Sequence, residues 1–441
     1  MKIFFDMVGC RVNQAEIDAM AAEARALHYE VTGRLEEADL ILINTCTVTR
    51  EAERDSRQKA RSAHARNPAA RLALTGCWAT MEPERAAALP GVVGVIPNSE
   101  KDRTIFILLG GEKKSSAIRR IRSPDGHRRR TRAYIKVQDG CDNTCTYCVT
   151  RLARGPIRSR SADEVVEDIL AAESAGAKEA VLAGVHLGAW GKDLGLEFGL
   201  ERLLETVLMR TTIPRVRLSS LEPWDLRPEF FRLWRDARAC PHLHLPLQSG
   251  CAATLRRMAR RSSPEDFARI VNAARAAIPD LAVTSDLMVG FPGEDESEFR
   301  DSLEFVERIH FARLHIFRFS PRPGTAAAAM KDAVPPDEIR RRAALAHHSA
   351  ECAADAFARG FLGREMDVLW EADTRCGLRH GLTGNFLRVR VQSETIAPNT
   401  FSRVKLTGYE HGEIVGDFNT PTPPCSPQIG EGGRTLGGFP G

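Results

Sequence analysis

The chain has 441 residues, of which 43% are hydrophobic and 27% are charged, and its formal net charge is +4. These values are ordinary for a globular protein, predict two to four domains and leave any affinity for nucleic acid to local patches of charge. The sequence has neither the dense cysteines of a small disulfide-bonded secreted domain, nor an apolar leader, nor a run that could span a bilayer, so we expect a cytoplasmic protein with no membrane partner.

The first predicted domain, residues 1–115, repeats a short apolar run that ends in a small turn and a cysteine. These cysteines, which we call the N-terminal triplet, are Cys10, Cys46 and Cys77, and the runs before them are Lys2–Val8, Ala38–Ile43 and Arg71–Thr75. The helix-prone segments Asn13–Tyr29 and Thr49–Arg66 fill the two intervals, each about one βαβ unit long, which predicts an open α/β sheet. Because parallel strands point their carboxyl ends to one crevice, we expect the three thiols to converge on a metal cluster; the alternative is three ordinary buried cysteines.

A basic linker is predicted over residues 116–132, just before the next apolar run. Its arginines include Arg128, Arg129, Arg130 and Arg132. Arginine binds phosphate through a planar fork of donors, so we expect these four side chains to contact an RNA backbone; the alternative is a solvated charged surface. Two smaller basic clusters occur at Arg256–Arg261 and Arg340–Arg342.

The most informative motif is a Cys-x3-Cys-x2-Cys loop, the barrel triplet, formed by Cys141, Cys145 and Cys148. Soft thiolates favour iron–sulfur clusters, zinc or Cu(I), and no fourth Cys or His follows at the spacing of a structural zinc site. Three thiolates leave one iron of a cubane open, which predicts chemistry rather than a structural role. The alternative is three reduced cysteines on a surface loop.

Apolar runs alternate with helical patterns over residues 133–360, which predicts a partial (β/α)6 barrel that is open on one side. The predicted strands are Ala133–Gln138, Glu179–Ala183, Arg215–Leu218, Leu243–Leu245, Ala282–Leu287 and Ala312–Phe317. A barrel builds its active site at the carboxyl ends of its strands. The candidates at those ends are Gly184, His186, Ser219, Ser220, Glu222, Gln248 and Asp286. The histidine and the serines are equally compatible with hydrogen bonds that merely satisfy the core and the strand ends.

Residues 361–418 change to short β-prone runs at Glu365–Trp370, Leu387–Val391 and Ser402–Thr407, separated by Gly, Asn and Asp. This pattern predicts a small antiparallel β-barrel. The remaining tail, residues 419–441, is rich in Pro and Gly, and we expect it to be disordered because it cannot bury enough apolar surface to fold.

These motifs together resemble the methylthiotransferase family of radical S-adenosylmethionine (SAM) enzymes over about residues 1–418. The matching segments are Gly9–Gln14, Asn44–Thr49, Gly76-Cys77, Tyr134–Cys141 and Gly363–Leu369. The Thr-Val-Thr after Cys46 is similar to the members that act on N6-threonylcarbamoyladenosine in tRNA. One departure is Val149–Leu152, where the family usually has Ile-Ile-Pro-Tyr and where the path of the loop over the cluster is in question.

The resemblance implies a tRNA methylthiotransferase that holds two [4Fe-4S] clusters, one on each cysteine triplet. The cluster on the catalytic barrel triplet would bind SAM and cleave it to a radical, with Tyr147 and the strand-end candidates lining the SAM and substrate pocket. The C-terminal barrel would be the RNA-binding domain called TRAM. The implied reaction converts N6-threonylcarbamoyladenosine at position 37, in the tRNA anticodon loop, to its 2-methylthio derivative. The resemblance names neither the electron donor nor the sulfur source.

Two rival functions stay open at this point. One is a methylthiotransferase for isopentenyladenosine in tRNA or for a ribosomal-protein aspartate, against which the Thr-Val-Thr and the basic clusters argue. The other is a non-enzymatic iron–sulfur regulator that binds RNA, against which the presence of both triplets argues. Cleavage of SAM by the reduced protein separates an enzyme from a binder.

Overall fold

A computed structural model describes residues 1–110, 131–375, 377–393 and 395–417. Most of the predicted linker, with Arg128, Arg129 and Arg130, lies outside the described residues, as does the predicted tail at 419–441. Within these ranges, no helix combines the length and the apolar character needed to cross a membrane.

The N-terminal domain is a parallel sheet with helices on both faces. Its strands are β1 (Lys2–Met7), β2 (Glu30–Val31), β3 (Leu40–Thr45), β4 (Arg71–Gly76) and β5 (Val92–Ile96). They lie in the order β2-β1-β3-β4-β5, and every neighbouring pair is parallel. The helices are α1 (Arg11–Ala26), α2 (Arg50–Arg66), α3 (Cys77–Met81), α4 (Pro83–Ala87) and α5 (Thr104–Leu109).

Strand β3 shows why this sheet needs helices on both sides. Successive side chains of a strand point to opposite faces. Leu40 and Leu42 therefore pack in one apolar cluster with Ile17 of α1, while Ile41 and Ile43 pack in a second cluster on the other face. A strand that is apolar on both faces is typical of a covered parallel sheet.

The central domain is a half-open barrel. Its strands are β6 (Arg132–Lys136), β7 (Gln138–Asp139), β8 (Arg158–Ser159), β9 (Glu179–Ala183), β10 (Arg215–Leu218), β11 (His242–His244), β12 (Ala282–Val289) and β13 (Arg313–Arg318). Its helices are α6 (Thr150–Arg154), α7 (Ala162–Ser174), α8 (Gly199–Arg210), α9 (Ala252–Arg257), α10 (Pro264–Ala277), α11 (Glu296–Ile309) and α12 (Pro336–Arg359).

Six parallel strands form the wall of this barrel in two groups of three. The groups are β6-β9-β10 and β11-β12-β13, and a parallel bridge between Ser220 and His244 connects them. Helix α1 of the N-terminal domain packs against β6. Each of the six strands overlaps a predicted run, and the predicted N-caps Ser161 and Ser263 both form complete capping boxes at the starts of α7 and α10.

The C-terminal domain is a closed five-stranded barrel. Its strands are β14 (Glu365–Arg375), β15 (Leu378–Thr383), β16 (Arg388–Gln392), β17 (Phe401–Glu410) and β18 (Glu413–Asp417), in the order β14-β15-β16-β18-β17. Four of the pairs are antiparallel, whereas β16 and β18 pair in parallel to close the barrel. The predicted α/β fold class with a partial barrel and a small C-terminal barrel is confirmed, while the domain boundaries stay predictions.

Two arginines of β10 attach the C-terminal barrel to the central one. Arg215 donates hydrogen bonds of 2.8 Å to the carbonyls of Leu382 and Asp367, and Arg217 donates one of 3.0 Å to the carbonyl of Gly384. Charged donors make the stronger kind of hydrogen bond to backbone carbonyls. The two barrels therefore meet through specific polar contacts.

Candidate metal and cofactor site

The turns that carry the N-terminal triplet lie against one another. Gly9 has φ +112°, and a Cβ built on it would lie 2.8 Å from Cys46 Cβ and 2.9 Å from Cys46 Sγ. Gly76 has φ +100°, and a Cβ there would lie 2.3 Å from the carbonyl oxygen of Thr45. Only glycine allows both the left-handed backbone and this close approach. The carboxyl ends of β1, β3 and β4 thus bring Cys10, Cys46 and Cys77 together.

Side chains next to the N-terminal triplet are polar donors and acceptors. The Asn98 amide donates to Cys77 Sγ at 3.7 Å and to the carbonyl oxygen of Ala153 at 2.7 Å, and the Cys10 thiol lies 3.8 Å from Asn13 Oδ1. Burial, with a further contribution from the neighbouring thiols, raises the pKa of Cys46 to about 12. A bound metal reverses this effect because its positive charge stabilises the thiolate.

The barrel triplet sits on a loop that is fixed at both ends. Gly140 has φ +72°, and a Cβ built on it would lie 1.8 Å from the carbonyl oxygen of Pro156, so no other residue fits there. The amide of Cys141 donates to the Gly155 carbonyl at 3.0 Å, and the amide of Thr146 donates to the Met258 carbonyl at 3.0 Å. The loop is therefore positioned by backbone contacts.

The donor chemistry of both triplets fits an iron–sulfur cluster better than a single ion. Among the described residues, no three His, Cys, Asp or Glu side chains are arranged to hold one metal ion. In a cubane each thiolate binds a different iron, so three soft thiolates suit a cluster without converging on one ion. Burial raises the pKa of Cys141 to about 12, so its thiolate requires the positive charge of a bound metal.

A buried ion pair lies beside the barrel triplet. Arg260 donates a 3.0 Å hydrogen bond to Glu222 Oε1, its Nη2 lies 2.7 Å from Glu222 Oε2 as an ion pair, and its guanidinium stacks 4.4 Å from the Trp224 ring. Burial raises the pKa of the Cys145 thiol, and the positive charge of Arg260 opposes that rise. Tyr147 packs in an apolar cluster with Leu255 and neighbours. The structure thus assigns Arg260, part of a predicted basic cluster, to the surroundings of Cys145.

His186 is the strand-end candidate nearest to the cluster loop. Its Nδ1 lies 3.8 Å from Cys141 Sγ and its Nε2 lies 2.5 Å from Asp225 Oδ2. Burial alone would raise the pKa of Asp225, but hydrogen bonds from His186 and Lys192 lower it. Gly184 lies in the same turn, where a Cβ would come within 3.0 Å of a side-chain oxygen. These contacts orient the imidazole toward the loop. A role of His186 in binding SAM or substrate stays a prediction.

The other strand-end candidates form two small groups. Ser219 accepts a hydrogen bond from the amide of Gly184 at 3.3 Å, and Ser220 forms the bridge that connects the two halves of the wall. On the other half, Asp286 lies 3.2 Å from His244 Nε2. Gln248 has φ +73°, an uncommon conformation for its residue type, and strained backbone of this kind is concentrated at functional sites. The structure brings these candidates to one end of the barrel, and their roles stay predictions.

A buried charge network, absent from the sequence predictions, joins the two cysteine regions. Arg154, six residues after Cys148, donates to Glu16 at 2.9 Å, to Asp139 at 2.8 Å and to Asn13 at 2.6 Å. Glu16 also accepts from Lys101 at 2.7 Å and Lys136 at 3.1 Å. Burial opposes ionisation of Glu16, yet these three cations hold its pKa well below the usual range.

The basic residues have mixed positions. Arg132 is half-buried and pairs with Glu179 and Glu371. Its guanidinium therefore already has partners, and its contact with RNA stays a prediction. In the other two predicted clusters, Arg257 pairs with Glu298 and Arg342 with Glu294. The unusual segment Val149–Leu152 lies at the start of helix α6, with Val149 just before the helix and the other three residues inside it. Leu152 is exposed and Val149 is buried.

Comparisons with known proteins agree with this geometry. A model of the radical SAM superfamily matches residues 135–306, and one described as uncharacterized protein family UPF0004 matches residues 2–96. The protein is thus a radical SAM protein with an additional N-terminal domain. A threonylcarbamoyladenosine tRNA methylthiotransferase MtaB of Thermotoga maritima is 36% identical over 420 residues, which cover 87% of this chain and 93% of that protein. The chain belongs to the methylthiotransferase family of radical SAM enzymes, as its motifs predicted.

Further relatives extend the similarity. The Bacillus subtilis protein of the same name is 33% identical over 93% of this chain and 95% of its own length. A tRNA-2-methylthio-N(6)-dimethylallyladenosine synthase of Anaplasma phagocytophilum is also 33% identical, over 83% of this chain and 86% of that protein. Among solved structures, the radical SAM methyltransferase TsrM of Kitasatospora setae covers 74% of this chain and 75% of its own, with 15% identity and a TM-score of 0.55, which supports the fold alone.

Proposed function

We propose that this enzyme converts N6-threonylcarbamoyladenosine at position 37 of tRNA, beside the anticodon, to its 2-methylthio derivative. The observation that carries the proposal is the 36% identity, over 87% of the chain, to a relative named for that activity, in a protein that contains both cysteine triplets. Its cofactors are two [4Fe-4S] clusters and SAM. We assign one cluster to the N-terminal triplet and the SAM-binding cluster to the barrel triplet.

The clusters and SAM would supply the electron, the radical and the sulfur that an unreactive C2–H carbon of adenine requires. The protein supplies position. Gly9 allows a close approach to Cys46, the turns at Gly76 and Gly140 pack against neighbouring backbone, and Arg260 places a positive charge beside Cys145. The network around Arg154 holds the N-terminal domain against the barrel.

A second candidate is methylthiolation of dimethylallyladenosine, because a relative named for that product is 33% identical. Nucleoside mass spectrometry of tRNA from a strain with and without the gene separates the two. Loss of the methylthio derivative of threonylcarbamoyladenosine alone supports the proposal. Loss of the dimethylallyl derivative alone contradicts it.

Iron content tests the assignment of two clusters. The anaerobically reconstituted protein is expected to hold about eight irons, since each cubane contains four. Changing Cys10, Cys46 and Cys77 to Ala should remove about half of the iron, and changing Cys141, Cys145 and Cys148 should remove the other half. Cys240 and Cys251, both buried and outside the triplets, provide matched controls. Loss of all iron from either triple variant would argue against two independent clusters.

Binding of the tRNA anticodon arm tests the RNA contacts. Phosphate contacts set affinity and carry little sequence information. Replacing Arg128, Arg129 and Arg130 with Gln should weaken tRNA binding across sequences and make its salt dependence shallower, by up to ~0.9 in log–log slope for each phosphate that the variant no longer binds. SAM cleavage without tRNA should be unchanged. Filter binding over a range of KCl measures the slope, and an unchanged slope would show that these arginines do not bind RNA.

A further inference from the structure

The lumen of the central barrel contains a cavity of about 210 Å³ that the cysteine triplets do not explain. It lies where all three domains meet, because its lining includes Arg11 of α1, Tyr134, Arg217 and Arg313 of the barrel wall, and Phe386 of the C-terminal domain. A cavity of this size is small compared with sites for whole drug-sized ligands. It suits one compact polar group.

The lining of the cavity carries an excess of positive charge. Five arginines but only two glutamates surround it. Both glutamates are already engaged, because Glu179 pairs with Arg217 at 2.7 Å and Glu371 pairs with Arg132. A third arginine, Arg388, pairs at 3.3 Å with Glu413 outside the cavity.

Arg11 and Arg313 are the remaining two arginines, and within the described part of the chain neither side chain forms a hydrogen bond or a close ion pair with protein. The Arg11 guanidinium makes a cation–π contact, at 5.8 Å, with the Phe386 ring. Burial lowers the pKa of the nearby His315, and Asp286 opposes this effect. The positive charges of Arg313 and Arg11 lower the pKa further. Two guanidinium groups without partners, in one cavity, form a site for an anion.

The cavity is close to the proposed chemistry. Arg11 is the residue that follows Cys10 and begins α1, so the cavity and the N-terminal triplet share the start of this helix. The strand registers place Tyr134, Val181 and Arg217 side by side on the wall, and all three line the cavity. We expect a substituent on a base bound between the two triplets to extend into this lumen.

We propose that Arg11 and Arg313 bind the carboxylate of the threonylcarbamoyl group and thereby select the modified adenosine. The inference rests on the proposed function. The threonyl part of this nucleoside ends in a free carboxylate, which a guanidinium fork matches, whereas a dimethylallyl group is uncharged and apolar and leaves both arginines unpaired. A phosphate of the RNA backbone is the other anion that could fill the site, and the test separates the two.

The test uses the reconstituted holoenzyme and three synthetic anticodon stem-loops that differ only at position 37. One carries threonylcarbamoyladenosine, one carries its carboxamide, and one carries adenosine. The wild-type enzyme should bind the acid ~10- to 100-fold more tightly than the amide, the range expected for hydrogen bonds to a charged group. Arg313→Gln should bind acid and amide alike. Arg11→Gln should do the same, with iron content measured because it adjoins Cys10.

The control is Arg300→Gln, an exposed arginine on the outer helix α11, which should keep the full preference for the acid. A preference that survives in Arg313→Gln overturns the assignment, and so does equal weakening of all three stem-loops, which would indicate a phosphate contact. Product analysis of the wild-type enzyme reports on the function separately. Methylthiolation of the acid stem-loop with no selective effect of the variants would leave the function standing and remove this site.

Discussion

Replacing Cys141, Cys145 and Cys148 with alanine is expected to abolish the reductive cleavage of SAM, whereas replacing Cys10, Cys46 and Cys77 should spare it. The reason is that the two triplets sit in different domains, and only the barrel loop lies at the strand ends where a barrel binds its substrate. The N-terminal variant should still form 5′-deoxyadenosine from SAM but make no methylthio nucleoside. Chromatography of 5′-deoxyadenosine and mass spectrometry of digested tRNA measure the two outcomes separately.

The control for this experiment is the paired change of Cys240 and Cys251, which are buried and distant in sequence from both triplets. With both residues changed to Ala, the enzyme should still form 5′-deoxyadenosine and the methylthio nucleoside. The smaller side chains should affect only its stability. Full methylthiolation by the N-terminal variant would show that this triplet is not needed for formation of the methylthio group. SAM cleavage by the barrel variant would contradict the assignment of the radical chemistry.

The change Glu16→Gln is expected to destabilise the contact between the N-terminal domain and the barrel by roughly 3–5 kcal/mol, the usual cost of removing one partner from a buried ionic group. Glu16 is 5% exposed and is the common partner of Lys101, Lys136 and Arg154. Without the charge of Glu16, Lys101 loses its ion pair. Lys136 and Arg154 keep Asp139 as a counter-ion, and Lys136 also lies 3.9 Å from Asp102. The urea midpoint of the first unfolding transition measures the effect.

The matched control is Glu36→Gln in the same domain. Glu36 pairs with Arg66, but both side chains are more than half exposed, so the change should leave the urea midpoint almost unchanged. Similar midpoints for the two variants would show that the buried network does not stabilise the contact between the domains.

Acid should weaken the same contact. The neighbouring cations outweigh burial and hold the pKa of Glu16 well below its usual range and that of Asp139 at about 2. A carboxyl group whose folded pKa is depressed contributes stability that is complete above its unfolded pKa, near ~4, and is lost as the pH falls through the folded value. Stability is therefore expected to be constant from neutral pH to about pH 5 and to fall toward pH 2, less steeply in Glu16→Gln.

The sequence predicted the strands and the cysteine-bearing turns because both depend on local patterns. The apolar runs before Cys10, Cys46 and Cys77 became β1, β3 and β4 with ends shifted by no more than a few residues. Strands β15 and β18 were not predicted, since Leu378–Thr383 and Glu413–Asp417 are short and interrupted by polar residues. Their strand form depends on closure of the barrel, which no local window records.

The contacts around the site were not predicted for a different reason. Arg154 and Glu16 are 138 residues apart, and nothing in either segment identifies the other as its partner. One signal was present, because Asn13 and Glu16 continue the helical stripe of Ile17 and Met20, so polar side chains stood on a face expected to be buried. A buried carboxylate requires a cation, but the sequence alone does not say which of 62 lysines and arginines supplies it.

Through Phe386, the C-terminal domain lines part of the lumen of the central barrel. The Phe386 ring stacks on His242 at 4.4 Å between ring centroids, and the preceding Gly384 accepts a hydrogen bond from Arg217. The loop that follows β15 therefore forms the floor of the barrel lumen. A chimera that carries the C-terminal barrel of a relative would therefore receive a different floor for the central barrel. With Arg11 and Arg313 as the proposed anion site, exchange of this domain is expected to change which modified base the enzyme accepts.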